Sequence, residues 1–448
     1  MPEPVATVVV LNWNGGHLLP PCLAALARQE GVSFQTWVVD NASTDGSVEL
    51  VEREFPDVRL LRNDRNLGFA GGNNAALREI TTPFAVLLNN DARPEPDWLA
   101  RLLEPFGAPG SERLGATTSK VLFEPRFLAL DLVTDGFVPG GADPRELGVR
   151  FARLRIDGED VTERVLWESL TWGPEGAGDG RFRWARPAGR LLVPLPPGPG
   201  PYQVEVRWAA ERDKTATLSW PGGEARLAVA AELGDVAFTV PAGVDTTDVI
   251  NNAGSIVLTS GYGADRGYQE TDRGQYDEPA GVVAVCGCAV AFRTEAGRAA
   301  GWFDEDFFLY YEDTDLSWRL RALGWDLRYQ PAAVVRHIHS ATSVEWSPLF
   351  VFHTDRNRLL MLTKNAPLGL AVREVARYPL TTASMALRAA RIAAAGRTRP
   401  PVRPTLMRLR VFASYLRLLP VMLARRAALA RSAAVGRRAL AEGLVVSR

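Results

Sequence analysis

Cysteine is scarce in this chain: Cys22, Cys286 and Cys288 among 448 residues. Three thiols cannot build a disulfide framework, and they lack the paired C-x-x-C spacing of a zinc site. Such sparse usage fits a reducing, cytoplasmic compartment. Long apolar runs are missing too. No stretch of eighteen uncharged apolar residues occurs, so no segment reads as a membrane-spanning helix. The N-terminus has no basic region ahead of a long apolar run. Residues 8–11 are only a strand-length patch, so no signal peptide is read. With 46% hydrophobic and 23% charged residues the chain is neither disordered nor fibrous, and its length allows about three domains.

Net charge is nearly absent, but only because two regions cancel. From Lys364 onward there are seventeen basic side chains against Glu374 and Glu442, a surplus of fifteen, so the preceding residues carry a net −16. A basic tail on an acidic body predicts an anionic partner, either a membrane surface or nucleic acid. Aromatic interleaving and a recognition module are lacking, so no nucleic-acid partner is expected.

What is present begins with alternation. Strand signals at 7–12, 36–41, 58–61, 84–89 and 114–123 alternate with helix signals at 17–29, 47–55, 72–80 and 97–106. That order predicts a largely parallel, helix-covered sheet, with ligands beyond the carboxyl ends of its strands. Polar residues gather at those ends: Asn12 and Asn14, Asp40 and Asn41, and Asn89-Asn90-Asp91. The composition then shifts. Fourteen of the 29 residues at 173–201 are Gly or Pro, and period-two patterns follow at 202–208, 216–220, 225–230 and 236–240. An inserted antiparallel β-sandwich is expected over 145–247, rich in tryptophan (Trp167, Trp172, Trp184, Trp208, Trp220). Strand Trp either packs a core or stacks on sugar rings. Residues 281–292 read as a strand, 313–323 as a helix, and 325–329 and 332–337 as two short strands. Beyond Pro348 the chain reads as helical, broken at 400–404.

Several side chains could carry chemistry. A carboxylate such as Asp91 at a strand end can hold a divalent cation that bridges a diphosphate, or can simply start a turn before Pro94. Asp40 suits a ribose or base edge, whereas Asp45 and Ser47 suit the start of the next helix. Asn66, Gly68, Gly71, Gly72, Asn73 and Asn74 form a glycine-rich helix opening, but not a G-x-x-x-x-G-K-[ST] loop. Glu312, Asp313 and Asp315 sit among aromatics at a helix start, as a general base or as an acidic first turn that complements the helix dipole. His337 and His339 follow a strand and could ligate metal, while His17 and His353 read as structural.

Taken in order, six blocks resemble family 2 glycosyltransferases of the GT-A fold, and most of all the rhamnosyltransferase-like subgroup. They are residues 8–14, 38–47, 66–74, 87–91, 301–319 and 333–340. The resemblance implies an α/β GT-A (Rossmann-like) mixed sheet. Residues 1–144 would form the nucleotide-sugar half, 248–365 the acceptor and catalytic half, and 366–448 a basic amphipathic helical tail. It implies inverting transfer from a nucleotide-diphospho-sugar donor to a hydroxyl of a glycan or lipid-linked glycan in cell-envelope polysaccharide synthesis. By that resemblance Asp40 binds the nucleoside, with Asn12, Asn14, Asn41, Asn66, Gly72, Asn73 and Asn90 around the donor. Asp91 inherits a D-x-D metal role in which only the last position is acidic here, and Asn89 is at most a helper. His337 would complete the metal site for Mg2+ or Mn2+. Asp313, paired with Glu312, matches the catalytic base. The tail would hold the enzyme peripherally on the inner face of the cell membrane. The competing reading is a non-catalytic polysaccharide-binding protein that uses the β-insert.

Overall fold

The computed structural model describes residues 3–176, 178–338, 346–394 and 402–445. It divides into two compact units. One comprises Met1–Glu124, Ile250–Tyr268 and Gly274–Arg448; the other comprises Pro125–Val249 with Gln269–Arg273.

The first unit is built on a ten-stranded mixed sheet. Strands β1 (Ala6–Asn12), β2 (Phe34–Asp40), β3 (Arg59–Arg62) and β4 (Phe84–Asn89) form its parallel part, in the order β4-β1-β2-β3. The strand Ala289–Arg293 runs antiparallel between β4 and β6 (Leu114–Phe123). Asp326–His337 then pairs parallel with β6 and antiparallel with the short β5 (Ala92–Pro94). β1 and β4 are apolar on both sides because both sides are covered. Val8, Val10, Val86 and Leu88 pack into one core with Leu19, Leu23 and Trp98. Val9, Ala85 and Leu87 pack into another with Ala76, Leu77, Leu316 and Leu320.

The second unit is a sandwich of two antiparallel sheets. One contains Arg150–Ile156, Tyr202–Ala209 and Gly234–Val240; the other contains Phe127–Thr134, Ala188–Pro194, Lys214–Trp220 and Gly223–Val229. Alternate residues from both sheets, such as Leu128, Leu130, Leu132, Val204, Val206 and Trp208, share one core. The sandwich begins about twenty residues earlier than the expected 145, because Phe127–Thr134 hydrogen-bonds to Ala188–Pro194 and Lys214–Trp220.

Three further expectations are corrected. The strand-like run at 281–292 forms regular strand only at Ala280–Gly281 and Ala289–Arg293. The two short strands at 325–329 and 332–337 are one, Asp326–His337, with an irregularity between Gln330 and Val334. The tail, expected as a region of its own over 366–448, is part of the first unit. Helices Leu368–Ala394 and Val402–Ser432 belong to the first unit, and Tyr378, Val411, Tyr415 and Met422 pack with Trp318 and Leu359–Leu362 of helix Pro348–Asn365. The break expected at 400–404 begins in residues outside those described.

Helix Pro348–Asn365 is buried all round from Arg356 to Asn365, as a helix enclosed by others must be. Two of its buried charges, Lys364 and Arg358, are paired with carboxylates, and buried Arg356 donates to backbone carbonyls. Lys364 Nζ lies 2.6 Å from Asp304 and 2.9 Å from Asp315, and Arg358 is 3.4 Å from Glu374. Among the described residues, no helix is long and apolar enough to cross a membrane.

Candidate active site

Three strand ends meet through Asn12. Its amide nitrogen donates to Ser47 Oγ at 2.9 Å, to Ser43 Oγ at 3.2 Å and to Asp40 Oδ1 at 3.4 Å. Its oxygen accepts from Asn90 Nδ2 at 3.0 Å. Because β1, β2 and β4 are parallel neighbours, their carboxyl ends bring Asn12, Asp40 and Asn90 to one place. Asn14, at φ +50°, accepts from Thr44 N–H and shapes the same loop. Asp45 accepts from Gly16 N–H, Ser47 N–H and Ser47 Oγ, so it ties two loops together rather than capping through its own position. Its exposed carboxyl is drawn below 3.8 because those hydrogen bonds outweigh the slight burial.

Other expected donor contacts have structural partners. The Asn41 side chain donates to Asn66 Oδ1 and the Gly68 carbonyl, and accepts from Asn63 and Leu67 N–H. It holds the 63–68 loop. Asn66 in turn accepts from Gly68 N–H. Asn73 donates to the Phe69 carbonyl within its own helix. Gly72 lies inside the helix Gly68–Leu77, and a Cβ there would fall 2.5 Å from Leu11 Cδ1. Its lack of a side chain lets the helix approach β1.

Asp91 and His337, distant in sequence, are adjacent in space: His337 Nε2 is 3.1 Å from Asp91 Oδ1. The pairing of β5 with Asp326–His337 produces this, and Ile338 N–H donates to the Asp91 carbonyl. The ring's other nitrogen faces Asn251 Oδ1 at 3.3 Å. Asp91 Oδ1 is buried and has no hydrogen bond of good geometry. A buried carboxylate oxygen left over beside an imidazole nitrogen fits a divalent cation, whose remaining positions a diphosphate can fill. Among the described residues no third His, Cys, Asp or Glu joins them. His339 lies outside the described residues.

The acidic pair opens the helix Glu312–Ala322. Asp313 accepts from Gly287 N–H at 3.1 Å and from Thr314 N–H at 2.6 Å. Gly287 and Cys288 precede the strand Ala289–Arg293, and the Cys288 carbonyl accepts from Asn89 N–H. Asp313 is thereby linked to the end of β4. Burial pushes its carboxyl up, more than these hydrogen bonds pull it down. Glu312 is pushed much higher, first by burial and then by the Asp313 charge, and its Oε2 is buried without a partner. Asp315 behaves oppositely. Burial raises it, but Lys364 and Arg319 outweigh burial and hold it near 2. It is a structural ion, not a proton acceptor.

The loop ahead of the pair is strained. Phe308, Tyr310 and Tyr311 all have positive φ, at 64°, 69° and 69°. Asn357 Nδ2 lies within 2.8 Å of the Phe307, Leu309 and Tyr310 carbonyl oxygens, and Arg356 reaches those of Asp306 and Phe307. Asn74 pins Phe303 through both N–H and carbonyl. His353 stacks on Phe308 at 5.3 Å, and burial with Arg356 lowers its imidazole to about 4, so it stays neutral. Sequence reasoning missed Arg356, Asn357 and Lys364. Their only signal was a run of polar residues inside an otherwise apolar helix.

The polar ends of β1, β2 and β4 and the buried Glu312–Asp313 pair thus belong to one unit, joined through Gly287 and Cys288. The sequence profile of Glycosyl transferase family 2 matches residues 7–120. Those residues, about a quarter of the chain, are similar to that family. The succinoglycan biosynthesis protein ExoO of Rhizobium meliloti is 33% identical over 110 residues, 24% of this chain and 32% of that protein. The teichoic acid poly(glycerol phosphate) polymerase of Staphylococcus epidermidis is 30% identical over 19% of this chain and 12% of its own length. The pre-mycofactocin glycosyltransferase of Mycobacterium tuberculosis is 33% identical over 22% of this chain and 24% of its own. The matched stretch thus spans about a third or less of these curated relatives. Among solved structures, GalNAc-T7 with UDP, GalNAc and Mn2+ overlays 94% of this chain at 11% identity and a TM-score of 0.46, a likeness too loose to argue from.

Proposed function

We propose that the chain is an inverting glycosyltransferase that moves a sugar, with rhamnose the first to try, from a nucleotide-diphospho-sugar to a hydroxyl of a glycan or glycolipid acceptor in cell-envelope polysaccharide synthesis. The observation that carries this reading is the convergence of Asn12, Asp40, Asn90 and the Asp91–His337 pair at the strand ends, with buried Asp313 tied to β4 through Gly287 and Cys288. Asp40 accepts from the nucleoside. Asp91 and His337 would hold a Mg2+ or Mn2+ ion, whose positive charge stabilises the leaving diphosphate. Asp313 takes the acceptor proton as the hydroxyl attacks the anomeric carbon. Its raised affinity for protons suits that role better than an ordinary carboxylate would. Burial and the Asp313 charge push Glu312 up, which disfavours two adjacent negative charges in the site.

The tail supports peripheral binding to an anionic membrane. Leu409, Leu416 and Leu423 of helix Val402–Ser432 are exposed at 54%, 49% and 49%, seven residues apart on one stripe. Arg403, Arg410 and Arg417 follow the same seven-residue spacing and are exposed as well. Val411, Tyr415 and Met422 face inward. One helix thus packs through one side and offers leucine and arginine on another, the pattern of an interfacial helix.

A thermal-shift panel of nucleotide-diphospho-sugars, a rhamnose donor among them, with and without Mg2+ or Mn2+, tests the donor reading. Stabilisation by one donor only in the presence of metal, followed by metal-dependent donor hydrolysis, is expected. Stabilisation by no donor under any condition would sink it.

A further inference from the structure

The β-sandwich unit contains a cavity of about 280 Å³ whose lining does not resemble core packing. Trp167 and Trp172 supply aromatic walls, and Glu168, Thr171, Arg183 and Gln269 supply polar groups. That volume is just below the roughly 300–1,000 Å³ of pockets for drug-sized ligands, which leaves room for one small ring. Trp208 belongs to the sandwich core, and the partly buried Trp167 and Trp220 both pack against it, Trp220 stacked on Phe238.

The walls are held in place. Arg186 lies 3.9 Å over the Trp172 ring, and Arg145, fixed by Asp143 and Glu175, lies 5.7 Å from it. Trp167 packs on Phe151 at 5.3 Å. Two of the polar residues sit in backbone conformations that L-residues rarely adopt: Glu168 at φ +32° and Gln269 at φ +63°. Such strain persists where the surroundings enforce it, and it gathers at binding sites. Gln269 comes from the short 269–273 segment, which joins this unit through the Val249–Thr271 bridge, and Thr271 Oγ1 reaches Glu168 at 3.4 Å. Two distant stretches of chain therefore meet to build the cavity.

We infer that this cavity binds a neutral sugar ring of a glycan chain. A saccharide needs a flat apolar wall for its C–H face and in-plane partners for its hydroxyls. The Trp167 ring supplies the first, with Arg183 5.7 Å from its centre, whereas Arg186 already covers Trp172. A carboxylate accepts, a guanidinium donates, and an amide and a hydroxyl do both. The Glu168 and Arg183 charges balance, so the lining favours an uncharged sugar over a uronate or a phosphate. The inference does not depend on the transferase reading. If both hold, the insert retains the glycan on which the enzyme works.

Soluble neutral oligosaccharides (gluco-, manno-, galacto- and rhamno-series) titrated into the full-length protein by calorimetry, with uronate oligomers alongside, provide the test. Saturable binding of at least one neutral series at millimolar concentration is expected. Gln269→Ala and Glu168→Gln should each weaken it by about tenfold, as for one hydrogen bond to a strong partner. Both positions are exposed, so the fold should survive, and thermal stabilisation by nucleotide-sugar donors should not change. No neutral-sugar binding, binding of uronates alone, or binding untouched by both substitutions would overturn the inference. None of those results would bear on donor binding.

Discussion

Asn357, in the middle of a buried helix, donates to the Tyr310 carbonyl oxygen at 2.7 Å, two residues before Glu312. The same amide nitrogen is 2.8 Å from the Phe307 and Leu309 carbonyls. One side chain thus satisfies a turn of positive-φ residues that has no regular hydrogen-bonding pattern of its own.

Among the described residues Asn357 is the one side chain near all three carbonyls, and Asn357→Leu removes it, although the Phe307 carbonyl still accepts from Arg356 and from Leu309 N–H. A buried carbonyl left unpaired costs about 1–3 kcal/mol. Urea unfolding should show a loss of at least that size. Asn357→Asp, which keeps the shape but cannot donate, should lose turnover while retaining donor affinity. An Asp variant with unchanged kcat would show that the loop does not position the acidic pair.

Asp313→Asn keeps the shape of the carboxylate and removes its basicity. Transfer should fall by about 10²–10⁴, the usual worth of a general base, with donor binding preserved. In the wild type the acid limb of the kcat/KM profile should lie above the ordinary 3.8, because burial raises Asp313. An acid limb at the ordinary value would assign the base elsewhere.

Asp91→Ala and His337→Ala should each weaken metal-assisted binding of a nucleoside diphosphate by on the order of 10–100-fold or more, the range seen even for residues that only support a metal's ligands. Binding of the bare nucleoside should barely change. Calorimetry with and without Mn2+ separates the two, and equal losses for both ligands would mean that the pair is structural.

Glu312 is buried with its carboxyl raised far above the ordinary 4.5. The unfolded chain releases this proton first as pH rises, so between the two values the unfolded state binds fewer protons and stability falls with increasing pH. Below the unfolded value the contribution is complete. Glu312→Gln should remove that slope and raise the melting temperature near pH 7–8 relative to wild type. A parallel pH dependence in both proteins would show that Glu312 is not protonated in the fold.

Removing everything after residue 365 should not simply release a soluble enzyme. It would strip Tyr415 from Thr363, Met422 from the core, and Arg425 from Asp304 and Asp306. The informative variant leaves the inner side intact. Leu409→Ser, Leu416→Ser and Leu423→Ser together should lower binding to anionic liposomes without lowering donor binding. The remaining wild-type binding should weaken with salt, since exposed charges are screened over about 8–10 Å at physiological ionic strength. Undiminished sedimentation of the triple variant would refute the surface.

Much of the molecule was legible in the sequence. The strand–helix alternation, the strand-end clusters at Asn12, Asp40 and Asn89–Asp91, the antiparallel insert and the helical tail all follow from local periodicity and turn chemistry. Those depend only on neighbours in the chain. What needed the tertiary structure was the partner of each polar group. Asn41, Gly72 and Asn73, expected around the donor from the family resemblance, also serve the 63–68 loop, the Leu11 contact and the Phe69 carbonyl. Asp91 meets His337, Asp313 meets Gly287, and Asn357 meets Tyr310 only because long-range strand pairing and helix packing bring remote segments together. The fate of the tail was settled the same way. Its composition predicts a basic amphipathic helix, but only packing decides that Tyr415 and Arg425 turn inward while Leu416 and Arg417 remain exposed.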